Sequence, residues 1–290
     1  MTAAETEAVH GAAEQAAGQA AEHGAGGFDA GGMIMHHILD ANEFEVPGFG
    51  GQLVLPLPEF HVFGLDMSIT RAVLMMWIAA AFLVVLFWRA ARTAGDPVPR
   101  GLRGALEVLI LFIRDEIGAK CIGKGHERYT GYLLTTFFFI LTCNLLGLVP
   151  GMSTATAAIS VTAGLAIMAF LMIQLAGIRN YGVLGHFKNL VPHGLPPAIL
   201  PIMIPVEILG MFTKPFALCV RLFANMTAGH VVILSLIGLI FILEHVAVAA
   251  VAVPFALFIY VLELLVAFIQ AFIFTLLTGL FIGMSAHPAH

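Results

Sequence analysis

The chain has 290 residues, of which 60% are apolar and 11% charged, with a mean hydropathy of +0.96. Soluble domains carry about 25% charged residues, so this composition excludes one and points to a chain dissolved in lipid. The net charge of −5 joins an acidic stretch, residues 1–66, with ten Asp and Glu and no Lys or Arg, to a remainder holding all thirteen bases, which excludes a basic nucleic-acid-binding surface.

Residues 1–32 are rich in Ala, Gly, Glu and Gln without apolar periodicity and read as a flexible acidic tail. They show no basic stretch followed by an apolar core, so no secretory signal is legible there. Residues 33–68 are mixed, with Pro47, Pro56 and Pro58 breaking any long helix, and read as an outer-side membrane-surface segment with a short helix near residues 34–42. Residues 69–177 contain three predicted spans, centred on 72–88, 129–149 and 155–176, the last two joined by the turn at Pro150 and Gly151. Between the first two lies 102–122. Its Leu102, Ala105, Leu106, Leu109, Ile113 and Ile117 recur at helical spacing, while Glu107, Arg114, Asp115 and Lys120 take other faces. That pattern predicts an amphipathic helix lying against the membrane.

Residues 178–198 are polar and proline-bearing and read as a cytoplasmic loop. Two long apolar segments fill 199–286, roughly 199–243 and 246–282. The first would measure about 67 Å as one helix, over twice the hydrocarbon thickness, so it must tilt, kink at Pro201, Pro205 or Pro215, or leave the lipid. The fold class is therefore an all-α polytopic membrane protein, with about five crossing helices, one surface helix, and a last pair that is very long and tilted. Arg89, Arg92, Arg100 and Arg103 follow the first span, and Arg179 and Lys188 the third. Lys and Arg concentrate in cytoplasmic loops, which sets the N-terminus outside and the C-terminus in the cytoplasm of a plasma membrane.

Cys121, Cys143 and Cys219 form no CxxC pair and read as small apolar fillers. From Tyr129 to the C-terminus only seven residues are Asp, Glu, Lys or Arg, and Glu207, Lys214, Arg221 and Glu263 fall at membrane depth. A charge near mid-bilayer costs about 2.5–3.5 kcal/mol on insertion scales, so each needs a partner, a watery cavity or a function. Glu207, Lys214 and Arg221 are spaced by seven and share a helix face, which Asn225 extends; His230 points away from it. Glu263 and Gln270 repeat the spacing on the last segment, so two antiparallel helices would align Asn225, His230, Glu263 and Gln270. Such a line suits proton movement, because His and Glu exchange protons while Asn and Gln hold water. Arg221 keeps its proton and cannot relay it; it can interrupt a path and attract a carboxylate from another chain.

The bland alternatives are an Arg221 ion pair with Glu207 or Glu263 that only fixes packing, and a hydrogen-bonded His230–Glu263 core pair. Lys214 reads as a snorkelling interfacial residue. His36, His37, His61, His126, His186, His193 and His245 read as surface or loop histidines, with no metal site among them. Phe137–Phe139 read as lipid-facing and packing surface. A secondary ion-coupled transporter is the rival function, but the two halves show no internal repeat.

Residues Lys214 to His230, KPFALCVRLFANMTAGH, resemble the signature of subunit a of F-type ATP synthases. Residues 144–151, NLLGLVPG, and 269–275, IQAFIFT, resemble two further segments of that family, and the likeness covers about 33–285. The resemblance implies a stator subunit, not catalytic on its own, with two offset half-channels facing a ring of c subunits and with peripheral-stalk b subunits as further partners. It implies that Arg221 is the essential arginine facing the ring. Asn225, His230, Glu263 and Gln270 match the outer half-channel, and Glu207 matches a carboxylate of the cytoplasmic one. Many bacterial members carry Glu and His in the reverse order of His230 and Glu263, and some carry Asp where this chain has Gly147. No cofactor, metal or direct ATP binding is implied, and no phosphate-binding GxxxxGK[ST] occurs.

Overall fold

The computed structural model describes residues 43–48, 51–56, 61–62, 65–66, 70–92, 101–149, 154–189, 200–243 and 246–286. The expected helix near 34–42 and the tail before it lie outside these residues, as do His36 and His37. Before the first helix, β1 (Glu43–Gly48) pairs antiparallel with β2 (Gly51–Pro56), Glu43 facing Pro56 and Gly48 facing Gly51. A second, minimal pair joins β3 (His61–Val62) to β4 (Leu65–Asp66). These strand pairs, which the proline positions did not reveal, are an addition to a largely helical set of described residues. Alternation in E-F-E-V and the glycine-rich sequence that follows it were their signal.

Among the described residues, five helices are long and apolar enough to cross a membrane. They are α1 (Arg71–Arg92), α3 (Glu127–Gly147), α4 (Ile159–Asn189, of which Ile159–Val183 is the span), α5 (Leu200–Leu243) and α6 (Val246–Ala286). The protein is an all-α polytopic membrane protein. Spans α3 and α4 are separated by a 3-10 turn, Ala155–Ala157, so the second of them starts later than periodicity suggested.

The amphipathic stretch divides. Residues Leu102–Phe112 form α2, and Ile113–Ile122 continue it as π-helix. Nine α-helical steps of about 100° would set Ile122 half a turn away from Ile113. A π-helix, at about 4.4 residues per turn, returns them to one stripe. Ile113, Ile117 and Ile122 are accordingly all buried, in one core with Leu133 and Phe137 of α3 and Phe274 and Ile282 of α6. The opposite face is charged and exposed: Arg114 bonds Asp115, and Lys120 reaches Glu116 one turn back. The Arg114 guanidinium holds Asp115 below its ordinary carboxylate range. This stretch, expected to lie against the membrane, packs its buried face on other helices.

Two glycines shape the backbone. A Cβ at Gly283 of α6 would collide with the Cys121 carbonyl oxygen of the π segment, a backbone atom that cannot swing aside. Gly283→Ala is therefore expected to lower stability by about 1–3 kcal/mol, read as a fall in the melting temperature of the purified subunit or its complex. At Gly182 (φ 70°, ψ 169°) α4 kinks, and beyond it the chain folds back. His186 Nε2 comes within 2.7 Å of Gln174 Oε1, groups that twelve residues of straight helix would hold about 18 Å apart. His186 is thus buried within a helical segment, correcting its reading as a surface or loop histidine, and burial pushes its ring below the ordinary histidine range. Residues 178–189 are helical where a loop was expected.

Phe137 and Phe138 are core residues, and Phe137 meets Phe268 of α6 edge-on with ring centroids 5.8 Å apart. Cys143 and Cys219 are buried free thiols, as fillers should be. The spans differ sharply in how much of them the chain itself covers. Half of the most apolar stretch of α3 is buried (50%), but 11% of that of α5 and 17% of that of α6. The two long helices present a broad apolar face, with Phe216, Leu209, Leu257 and Leu265 outward, that no other described element of this chain covers.

Candidate proton-path site

The site lies between α5 and α6, which run antiparallel. His230 of α5 and Glu263 of α6 meet with Nδ1 2.8 Å from Oε1, and Glu263 is 4% exposed. Farther along, Lys214 Nζ stands 5.2 Å from the Phe281 ring centroid, which extends the same antiparallel register by about four turns. That register carries Asn225 to the level of Gln270, on the side of the His–Glu pair nearer Arg221. Asn225 is half-buried and Gln270 buried, seven residues from Glu263 on the same face. No hydrogen bond links Asn225 to Gln270, or either to the pair, among the described residues.

Glycine makes the His–Glu contact possible. A Cβ at Gly229 would lie 2.6 Å from Glu263 Oε1, so any larger residue there displaces the carboxylate. Its second oxygen, Oε2, is buried without a hydrogen-bond partner. A buried, unsatisfied carboxylate oxygen is costly unless it binds a proton or water.

The remaining contacts of His230 come from residues that sequence reasoning missed. Thr154 Oγ1 lies 2.8 Å from Nε2, the Gly147 carbonyl 3.1 Å from Nε2, and the Met226 carbonyl 3.2 Å from Nδ1. Thr156 donates to Asn144 Oδ1 at 2.7 Å, and Asn144 Nδ2 donates to the Ala267 carbonyl at 3.2 Å. The Tyr260 hydroxyl donates to the Leu148 carbonyl. Tyr260, Glu263, Ala267 and Gln270 follow one helix stripe, a signal that could have found Tyr260. Thr154 and Thr156 lie in a Thr-Ala stretch with no pattern to mark them.

The charged stripe of α5 divides in depth. Glu207 and Lys214 are half-buried and Arg221 is exposed. Arg221 makes no ion pair with Glu207, Glu263 or any other of the described residues. It stands on an exposed stripe of α5 with Ala217, Ala224 and Ala228, within one or two turns on the same side. Among the described residues no group of three or more His, Cys, Asp or Glu is placed to hold a metal ion.

Residues 73–283 match the model of the family described as ATP synthase A chain. A protein of Chloroherpeton thalassium named ATP synthase subunit a is 51% identical over 261 residues, 88% of this chain and 77% of that one. One of Prosthecochloris aestuarii named ATP synthase subunit a 2 is 49% identical over 294 residues, covering 99% and 87%. A third, ATP synthase subunit a of an Anaeromyxobacter species, is 47% identical over 309 residues, covering 93% and 76%. With five apolar spans, a matched family model over most of its length and relatives covered along most of theirs, this chain belongs to the ATP synthase A chain family.

Proposed function

We propose that this chain is the proton-conducting stator subunit of a bacterial rotary ATP synthase, a multi-pass protein of the inner membrane with its N-terminus outside. The observation that carries the reading is Arg221: a permanent cation, exposed and unpaired among the described residues, inside a candidate membrane span. Leaving it in lipid costs several kcal/mol, so the face must be covered by something that brings an anion. A ring of c subunits, each presenting one carboxylate, answers both demands. Arginine lowers the carboxylate's pKa and discharges its proton; apolar lipid beyond it favours reloading.

Asn225, His230, Glu263 and Gln270 form the outer half-channel in this reading, the two amides holding water between the titrating pair and the level of Arg221. Glu207, two heptad steps before Arg221 on the same face, serves the cytoplasmic half-channel. Arg221 stands between the two and prevents a continuous leak, because it does not surrender its proton. Peripheral-stalk b subunits hold the chain against rotation, and ATP is bound elsewhere in the complex.

His230→Ala and Glu263→Gln are each expected to slow proton flux through the assembled complex by about tenfold or more without opening a leak. Flux is measured in inverted membrane vesicles by dye quenching on ATP addition, beside ATP hydrolysis as a control for assembly. Unchanged flux in both variants would overturn the outer half-channel assignment.

A further inference from the structure

We infer that Thr154 is a positioning residue for His230, its hydroxyl supplying the hydrogen-bond donor that lets the ring stay in place when it gives up a proton. The inference deepens the outer half-channel reading and rests on it.

Each ring nitrogen of His230 faces one group able to change its hydrogen-bonding role. At Nδ1 this is the Glu263 carboxyl, and at Nε2 the Thr154 hydroxyl, both at 2.8 Å. The other two neighbours, the carbonyls of Met226 and Gly147, only accept. An imidazolium therefore satisfies this cage, with Nδ1–H directed to Glu263 and Nε2–H to the Gly147 and Thr154 oxygens. A neutral ring with its hydrogen on Nδ1 leaves a bare Nε2 lone pair against the Gly147 carbonyl. Among the described residues Thr154 alone can donate into that lone pair, by rotating its O–H bond while no heavy atom moves. With it, His230 can hold or release a proton without leaving Glu263. Without it, one protonation state is penalised by an unpaired buried nitrogen.

The hydroxyl is held where it is needed by several independent contacts. Thr154 is 3% exposed, and its side chain fills the space over Gly147, where a Cβ would collide with Oγ1. Its carbonyl accepts from Ala157 N at 3.0 Å, which starts the 3-10 turn. Two residues on, Thr156 bonds Asn144, which bonds the Ala267 carbonyl of α6, one turn beyond Glu263. The turn is thus tied to the helix that carries Glu263, and Thr154 moves with the pair it serves. Among the described residues, the charged group in contact with His230 is Glu263; from the other elements packed on it come Thr154 and the carbonyl of Gly147, and from its own helix the carbonyl of Met226.

The test uses the whole complex in inverted vesicles. Thr154→Val keeps the shape and removes the hydroxyl; Thr154→Ser keeps the hydroxyl and removes a methyl. Val is expected to slow ATP-driven proton flux about tenfold and Ser to stay within about twofold of the parent. In a His230→Ala background Val should add nothing further. Flux unchanged in Val, or equally slowed in Ser, or a Val effect that persists undiminished without His230, would overturn the inference in favour of simple turn packing. Where the Val complex does not assemble, Thr154→Ala is measured as the hydroxyl-free variant, with the same outcomes. His230→Ala separates the two readings: if it leaves flux unchanged, the half-channel itself fails, whereas slow His230→Ala beside normal Thr154→Val removes Thr154 alone.

Discussion

Arg221→Ala is expected to abolish coupled ATP synthesis, to below about 1% of the parent, while the subunit still folds and the complex still assembles. Assembly should survive because Arg221 is exposed and holds no partner among the described residues, so truncation leaves no buried group unpaired. Function should not survive, because no other described cation is exposed on the open face of α5 at that depth; Lys214 lies two turns away, half-buried against Phe281. Arg221→Lys should fall between, since an ammonium keeps the charge but can lose its proton in an apolar site. The measurement is ATP synthesis driven by an imposed proton gradient, with subunit content read from purified complexes. Normal ATP-driven proton pumping by assembled Arg221→Ala complexes would remove the role proposed for it.

Gly229→Ala is the second large effect. A methyl there would stand 2.6 Å from Glu263 Oε1 and 3.2 Å from its Cγ, so the carboxylate must withdraw from His230. The end of a flexible side chain can withdraw, which makes this a change of contact more than of stability. Proton flux is expected to fall about tenfold, matching His230→Ala, with normal assembly. Gly164→Ala of α4 is the control, because a Cβ there meets nothing within 4 Å and a helical Ala is preferred over Gly. If Gly229→Ala conducts like the parent, the close His–Glu contact is not needed for conduction.

The spans were legible because a lipid-embedded helix must be apolar for about twenty residues, and few charges survive in such a window. The limits of α5 and α6 followed closely from that rule, as did the conspicuous charges within them. The hairpins of residues 43–66 were missed since short strands carry little signal beside three prolines. The π-helix was missed because Ile113 and Ile122 share a face only when the turn widens, and that widening follows from packing on α3 and α6. His186 looked like a loop residue until the Gly182 kink turned it inward.

By itself, the sequence determined that this is a membrane protein of five crossings with a family signature around Arg221, and that His230 and Glu263 lie on neighbouring long helices. These properties depend on composition and on spacing along one helix, which are local. Only the tertiary structure decided that His230 meets Glu263, that Gly229 makes room for it, and that Thr154, 76 residues away, reaches the other ring nitrogen. Those contacts depend on where separate helices cross, and that is set by the shapes of many side chains at once, which no periodicity records.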